Sequence, residues 1–112
     1  MGRTLNETDI KKLIQIEASK LGCRLFINNT GALEDKTGRW VHFGLCEGSS
    51  DLIGCTRTGR FLAVEVKKPG ARTKPERLIK QRAFLDMVNS MGGIGIMVSS
   101  VDEFVKEMAA RL

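Results

Sequence analysis

The chain has 112 residues, which fits one domain spanning residues 1–112 and leaves no room for a second core. Hydrophobic residues make up 42% of it, enough for a globular core, yet no apolar run approaches the roughly 18–20 residues of a membrane span. A net charge of +5 and a pI of about 9.4 suit anionic partners such as nucleic acid.

The start of the chain lacks a signal-peptide pattern. Cys23, Cys46 and Cys55 are an odd number without Cys-x-x-Cys spacing. That argues against a disulfide framework or structural zinc, and suits small core or near-core residues in a reducing cytoplasm. The basic charge is uneven. Arg57, Arg60, Lys67, Lys68, Arg72, Lys74, Arg77, Lys80 and Arg82 crowd one stretch, opposed there by Glu65 and Glu76. Such a stretch attracts phosphates, and it also fits a solvated helix face with a flexible loop.

Thr4 to Leu21 reads as a first helix, with Ile10, Leu13, Ile14, Ala18 and Leu21 at helical spacing. Thr4-x-x-Glu7 fits a capping box, and Gly22 fits the residue that ends the helix. Glu7 lies one turn before Ile10, and Glu17 falls on the same apolar stripe. A buried carboxylate wants a partner, so either glutamate is a candidate for the site. Arg24 to Asn28 is a short strand, and Asn28-Asn29-Thr30-Gly31 are turn formers that can also border a pocket. Ala32 to Arg39 reads as a polar loop. Trp40 to Leu45 alternates as a strand, with Trp40 a core or rim packer that can also stack on an unpaired base. His42 is the chain's single histidine, which excludes a histidine metal cluster.

Asp51 to Cys55 reads as a buried strand with a carboxylate at its mouth, approached through Gly48, which permits a tight bend. Phe61 to Lys67 is the central strand, apolar enough for burial on both faces. Strand geometry sends Glu65 and Lys67 to one face and Leu62, Val64 and Val66 to the other. Pairing of the two runs as a hairpin brings Asp51 near Glu65, with the Val66 carbonyl close by. Two carboxylates and a carbonyl are hard oxygen donors of the kind Mg²⁺ or Mn²⁺ prefers. A lysine beside them suits activation of a water for phosphodiester hydrolysis. A buried Glu–Lys ion pair without chemistry is the plainer alternative.

Lys68 to Lys74 is a basic loop. Thr73-x-x-Glu76, with Pro75 in the first turn, starts the next helix. There Leu78, Gln81, Leu85 and Val88 share one stripe, so Gln81 is a polar residue on a core face. A hydrogen bond in the site explains it, as does an amide satisfied by backbone. Lys80 and Arg82 flank it. Gly92-Gly93 ends that helix, Ile94 to Val98 is a strand, and Ser100-x-x-Glu103 caps a closing helix with Val101, Phe104, Val105, Met108 and Leu112 on its apolar face. The order α-β-β-β-β-α-β-α suits an α/β fold, a mixed sheet flanked by helices.

Asp51 followed by Glu65-x-Lys67 resembles the D…(D/E)-x-K signature of restriction-endonuclease-like nucleases. Glu7 with Ile10, Phe-Ile-Asn-Asn-Thr-Gly from Phe26 to Gly31, Gly48-x-x-Asp51-Leu52 and Gln81 narrow this. Together they resemble the VRR-NUC domain, the virus-type replication-repair nuclease, over nearly the whole chain and in its stand-alone phage or bacterial form. Ser50 stands where that family often has proline.

The resemblance implies a metal-dependent DNA endonuclease in a cytoplasm, a phage host's included. Asp51, Glu65 and the Val66 carbonyl would hold Mg²⁺ or Mn²⁺. Lys67, Gln81 and Glu7 would complete the catalytic set, with Glu17 the alternative to Glu7. Lys68, Arg72, Lys74, Arg77, Lys80 and Arg82 would meet DNA. The wider superfamily spans restriction, repair and recombination, and stand-alone members resemble Holliday-junction resolvases that act as homodimers. The expected substrate is therefore branched DNA such as a four-way junction, cut by a homodimer. A non-catalytic DNA-binding module and a sequence-specific restriction-type nuclease remain open as alternatives.

Overall fold

The computed structural model describes residues 5–112. The elements are α1 (Glu7–Lys20), β1 (Arg24–Ile27), β2 (Gly31–Glu34), β3 (Trp40–Phe43), β4 (Leu52–Cys55), β5 (Phe61–Val66), α2 (Pro75–Ser90), β6 (Ile94–Val98) and α3 (Val101–Arg111). The main sheet runs β1-β4-β5-β6, and β2 with β3 forms a separate two-stranded hairpin. β4 pairs antiparallel with both β1 and β5, whereas β5 and β6 are parallel, joined through α2. This is the expected mixed sheet flanked by helices.

The period-2 pattern of β5 organises the two cores. Leu62, Val64 and Val66 are fully buried in a cluster with Ile10, Ile14 and Ala18 of α1 and Phe104 and Met108 of α3. On the opposite face Ala63 packs with Leu85 and Val88 of α2. Glu65 belongs to this second face, under α2, where apolar packing is thin and a polar pocket fits. Among the described residues, no helix is long and apolar enough to cross a membrane.

The chain departs from its sequence pattern in several places. It carries one strand more than expected, because Gly31–Glu34 is β2 and not the start of a loop. Its side chains are mostly exposed, so no covered face marks it as a strand. The loop shrinks to a turn in which the Asp35 carboxylate accepts from the Thr37 and Arg39 backbone N–H groups and the Thr37 hydroxyl. Trp40 is 69% exposed and packs in no core, since the hairpin stands away from the main sheet. Cys46 and Cys55 are exposed, and Cys23 alone of the three cysteines is buried.

Helix starts shift as well. α1 begins at Glu7 behind Asn6, whose side chain accepts from the Asp9 N–H at 2.8 Å while Asp9 answers from its own carboxylate. Thr4 lies outside the described residues. Asparagine caps at least as well as threonine, and its box sits two residues later. α2 starts at Pro75 after Lys74, with no side-chain cap, so the Thr73 box does not form. Proline's fixed φ and missing N–H remove the need for one. The Ser100 cap forms as expected, accepting from the Glu103 N–H.

Candidate active site

Leu52 pairs with Val64 across β4 and β5, and one further step of that antiparallel register sets Asp51 opposite Glu65. Asp51 is pinned there by its neighbours. One carboxylate oxygen accepts from the Val66 N–H at 2.9 Å, and the Asp51 carbonyl accepts from the Asn28 N–H at 2.7 Å. The Asn28 amide reaches further, donating to the Ser49 hydroxyl and the Ser50 carbonyl and accepting from the Leu45 N–H. Asn28 thus braces the approach loop that delivers Asp51, a stronger role than that of a plain turn former.

Glu65 is 2% exposed. Gln81 donates from α2 to its Oε1 at 3.1 Å, and the Lys67 ammonium stands 3.4 Å from the same oxygen. Burial pushes the Glu65 carboxyl up to about 8, the facing Asp51 adds to the rise, and Lys67 opposes it without prevailing. Glu65 Oε2 and Gln81 Oε1 are buried with no hydrogen-bond partner. Leaving buried oxygens unpaired costs about 1–3 kcal/mol each, a cost that a proton shared between Glu65 and Asp51, or a cation in its place, would offset.

α1 supplies a residue the sequence reading missed. The Lys11 ammonium lies 3.6 Å from Asp51 Oδ1 and 3.6 Å from Glu7 Oε1, one helical turn away. Glu7 therefore reaches the site's edge through Lys11. Glu17 instead pairs with Lys20 near the helix end. The (i, i+4) spacing of Glu7 and Lys11 was visible in the sequence, but the contact with Asp51 needs the fold.

A VRR-NUC domain model matches residues 5–102. A solved structure described as a VRR_NUC domain aligns with a TM-score of 0.61 at 20% identity, covering 95% of this chain and 97% of that one. No curated protein matches. The chain belongs to the VRR-NUC family. It is accordingly a nuclease-type domain, and the solved relative shares its fold.

In this VRR-NUC chain the donor set fits a divalent cation. Asp51 and Glu65 face each other, and the buried Glu65 Oε2 lacks a hydrogen-bond partner. Both carboxylates are hard donors of the type Mg²⁺ and Mn²⁺ take. Among the described residues, no group of three or more His, Cys, Asp or Glu side chains gathers around one point. Beside the two carboxylates lie the unpartnered Gln81 Oε1 and the backbone of Val66, whose N–H meets Asp51.

The basic residues divide. Lys74, Arg77 and Lys80 line a groove of about 720 Å³ between α2 and the β2–β3 hairpin, with His42, Phe43 and Glu47 on the other wall. Lys80 is held there by Glu47 at 2.6 Å. Arg82 faces a different hollow, with Glu107 and Arg111. Lys68 and Arg72 are exposed on the loop before α2.

Gly48 seats the approach loop on α2. Its φ is +84°, and an added Cβ would lie 2.9–3.1 Å from the Lys80 Cβ and backbone. Both the left-handed backbone and the contact oppose a side chain. Gly48→Ala is expected to lower the melting temperature by about 10 °C, read by thermal unfolding, because roughly 2 kcal/mol is lost at this size.

Proposed function

We infer that the protein is a Mg²⁺- or Mn²⁺-dependent DNA endonuclease selective for branched DNA, four-way junctions above all. The observation that carries this is the buried Glu65 carboxyl, facing Asp51 with an unpartnered oxygen and flanked by Lys67. Asp51, Glu65 and the Val66 carbonyl would hold the ion. When bound, that ion supplies a Lewis acid that lowers the pKa of a nearby water and offsets charge on the phosphate. Lys67, as an ammonium 3.4 Å from Glu65, would orient that water by hydrogen bonding and offset charge on the phosphate. Gln81 fixes the Glu65 carboxyl, and Asn28 keeps Asp51 opposite it.

The groove supplies phosphate contacts from Lys74 and Arg77, and from Lys80 once DNA displaces Glu47. Those contacts carry no base readout, which favours recognition of shape over sequence. A homodimer is supported by the hairpin. Leu33 and Val41 are cross-strand partners, Phe43 continues the same face, and they are 66%, 50% and 45% exposed. Contiguous exposed apolar surface of this kind marks an interface. Two copies related by a two-fold axis would match a junction's symmetry. Sedimentation is expected to give a dimer, and Val41→Glu a monomer.

The deciding test is purified protein with Mg²⁺ or Mn²⁺ on matched single-strand, duplex, flap and four-way DNA. Preferential cutting of the four-way substrate supports the reading. Equal cutting of linear duplex of the same length ends it, and discrete bands from genomic DNA would favour a restriction-type enzyme.

A further inference from the structure

We propose that the Lys11 ammonium stands in the place of a second divalent cation, so that this chain takes one ion per site. The proposal rests on Asp51 and Glu65 holding a metal. Two-metal nucleases set their ions about 3.5–4 Å apart, bridged by a shared carboxylate. Here the carboxylate that would be shared is Asp51. Its Oδ2 is committed to the Val66 N–H, and its Oδ1 faces Lys11 at 3.6 Å. Lys11 simultaneously faces Glu7 at 3.6 Å, so it lies between the two carboxylates that a second ion would join. It is not a loose surface lysine: its side chain is 18% exposed, like that of Asp51.

Charge points the same way. The carboxyl groups of Glu7, Asp51 and Glu65 against the ammoniums of Lys11 and Lys67 leave one formal negative charge. One divalent ion turns this to a single positive charge, and a second would leave three at close range in a partly buried pocket. Repulsion between an ammonium and a dication about 4 Å apart is costly at protein dielectric. Without Lys11 the same two ions leave two positive charges, and Glu7 is freed as a ligand. A lysine point charge supplies the cation without needing a loading step.

The test is Mn²⁺ titration of the full chain by calorimetry, with electron paramagnetic resonance to detect coupled ion pairs. Wild type and Lys11→Arg are expected to bind one Mn²⁺ per chain. Lys11→Met is expected to bind two, with the spectrum of a coupled pair. Two ions in wild type overturn the proposal, whatever the variants do. A folded Lys11→Met that still binds one ion overturns it too. Should wild type bind none, the metal assignment of Asp51 and Glu65 falls first, a result distinct from either.

Discussion

Glu65→Gln is expected to make the metal-free protein more stable above neutral pH while reducing cleavage by about 10³-fold or more. Both effects follow from one buried carboxyl. In the folded chain it holds its proton up to about 8, against an ordinary 4.5. Between those values the folded state binds more protons than the unfolded state, so stability falls as pH rises, by up to about 1.4 kcal/mol per unit. The contribution is fully present below 4.5 and lost through 8. A glutamine carries no such dependence. In EDTA, wild type should therefore melt at falling temperature from pH 5 to 8, and Glu65→Gln along a flatter line that lies higher at pH 8.

Function needs the opposite state. On the proposed reading a divalent ion would take the carboxylate form, so uptake would expel the proton and apparent affinity should rise with pH until about 8, then level. Removing the charge removes the ligand, and a loss of about 4 kcal/mol in transition-state stabilisation corresponds to the 10³-fold figure. DNA affinity should hold, because the groove's cations remain. Single-turnover cleavage and gel-shift binding on one junction separate the two. Cutting near the wild-type rate by Glu65→Gln would show the chemistry lies elsewhere.

The parts of the fold that were readable are those with a covered face. Leu62, Val64 and Val66 alternate with Ala63 and Glu65, and both sets are buried against different helices, so period and polarity mark the strand and which residues share each face. Ile10, Ile14 and Ala18 did the same for α1. β2 could not be read because neither of its faces is buried deeply enough to leave an alternation. Trp40 shows the related failure: alternation says which residues share a face, not whether anything covers it. The helix starts were ambiguous because Thr4-x-x-Glu7 and Asn6-x-x-Asp9 are overlapping boxes, and local sequence does not rank them well. At the site, Asp51, Glu65, Lys67 and Gln81 were legible as polar residues where apolar ones belonged. Lys11 was not, since a lysine four residues after a glutamate is ordinary on any helix. Only the packing of α1 against β1 and β5 gives it Asp51 as a second partner.

Lys67→Met is expected to lose about 10²–10³ in the cleavage rate, the range of a positioned hydrogen-bond donor, while keeping its Mn²⁺ stoichiometry. The backbone of Lys67 is fixed by donation to the Val98 carbonyl at 2.9 Å, so the side chain starts from a rigid strand end. Its ammonium is partly exposed and 3.4 Å from Glu65, reaching both the ligand and incoming solvent. Methionine keeps the length and removes the charge. Asp51 and Glu65 remain, so the ion should still bind. The ammonium that opposes the rise of the Glu65 carboxyl is gone, so that carboxyl holds its proton more firmly. Ion uptake and residual cleavage should both move to higher pH than in wild type. Lys67→Arg should not restore the rate, because a planar fork cannot place one proton donor where a flexible point charge sits. A merely structural role would change the melting temperature and leave the pH profile in place. Rate against pH at subsaturating Mn²⁺ tells these apart: an unshifted profile with activity within tenfold of wild type would remove Lys67 from the chemistry.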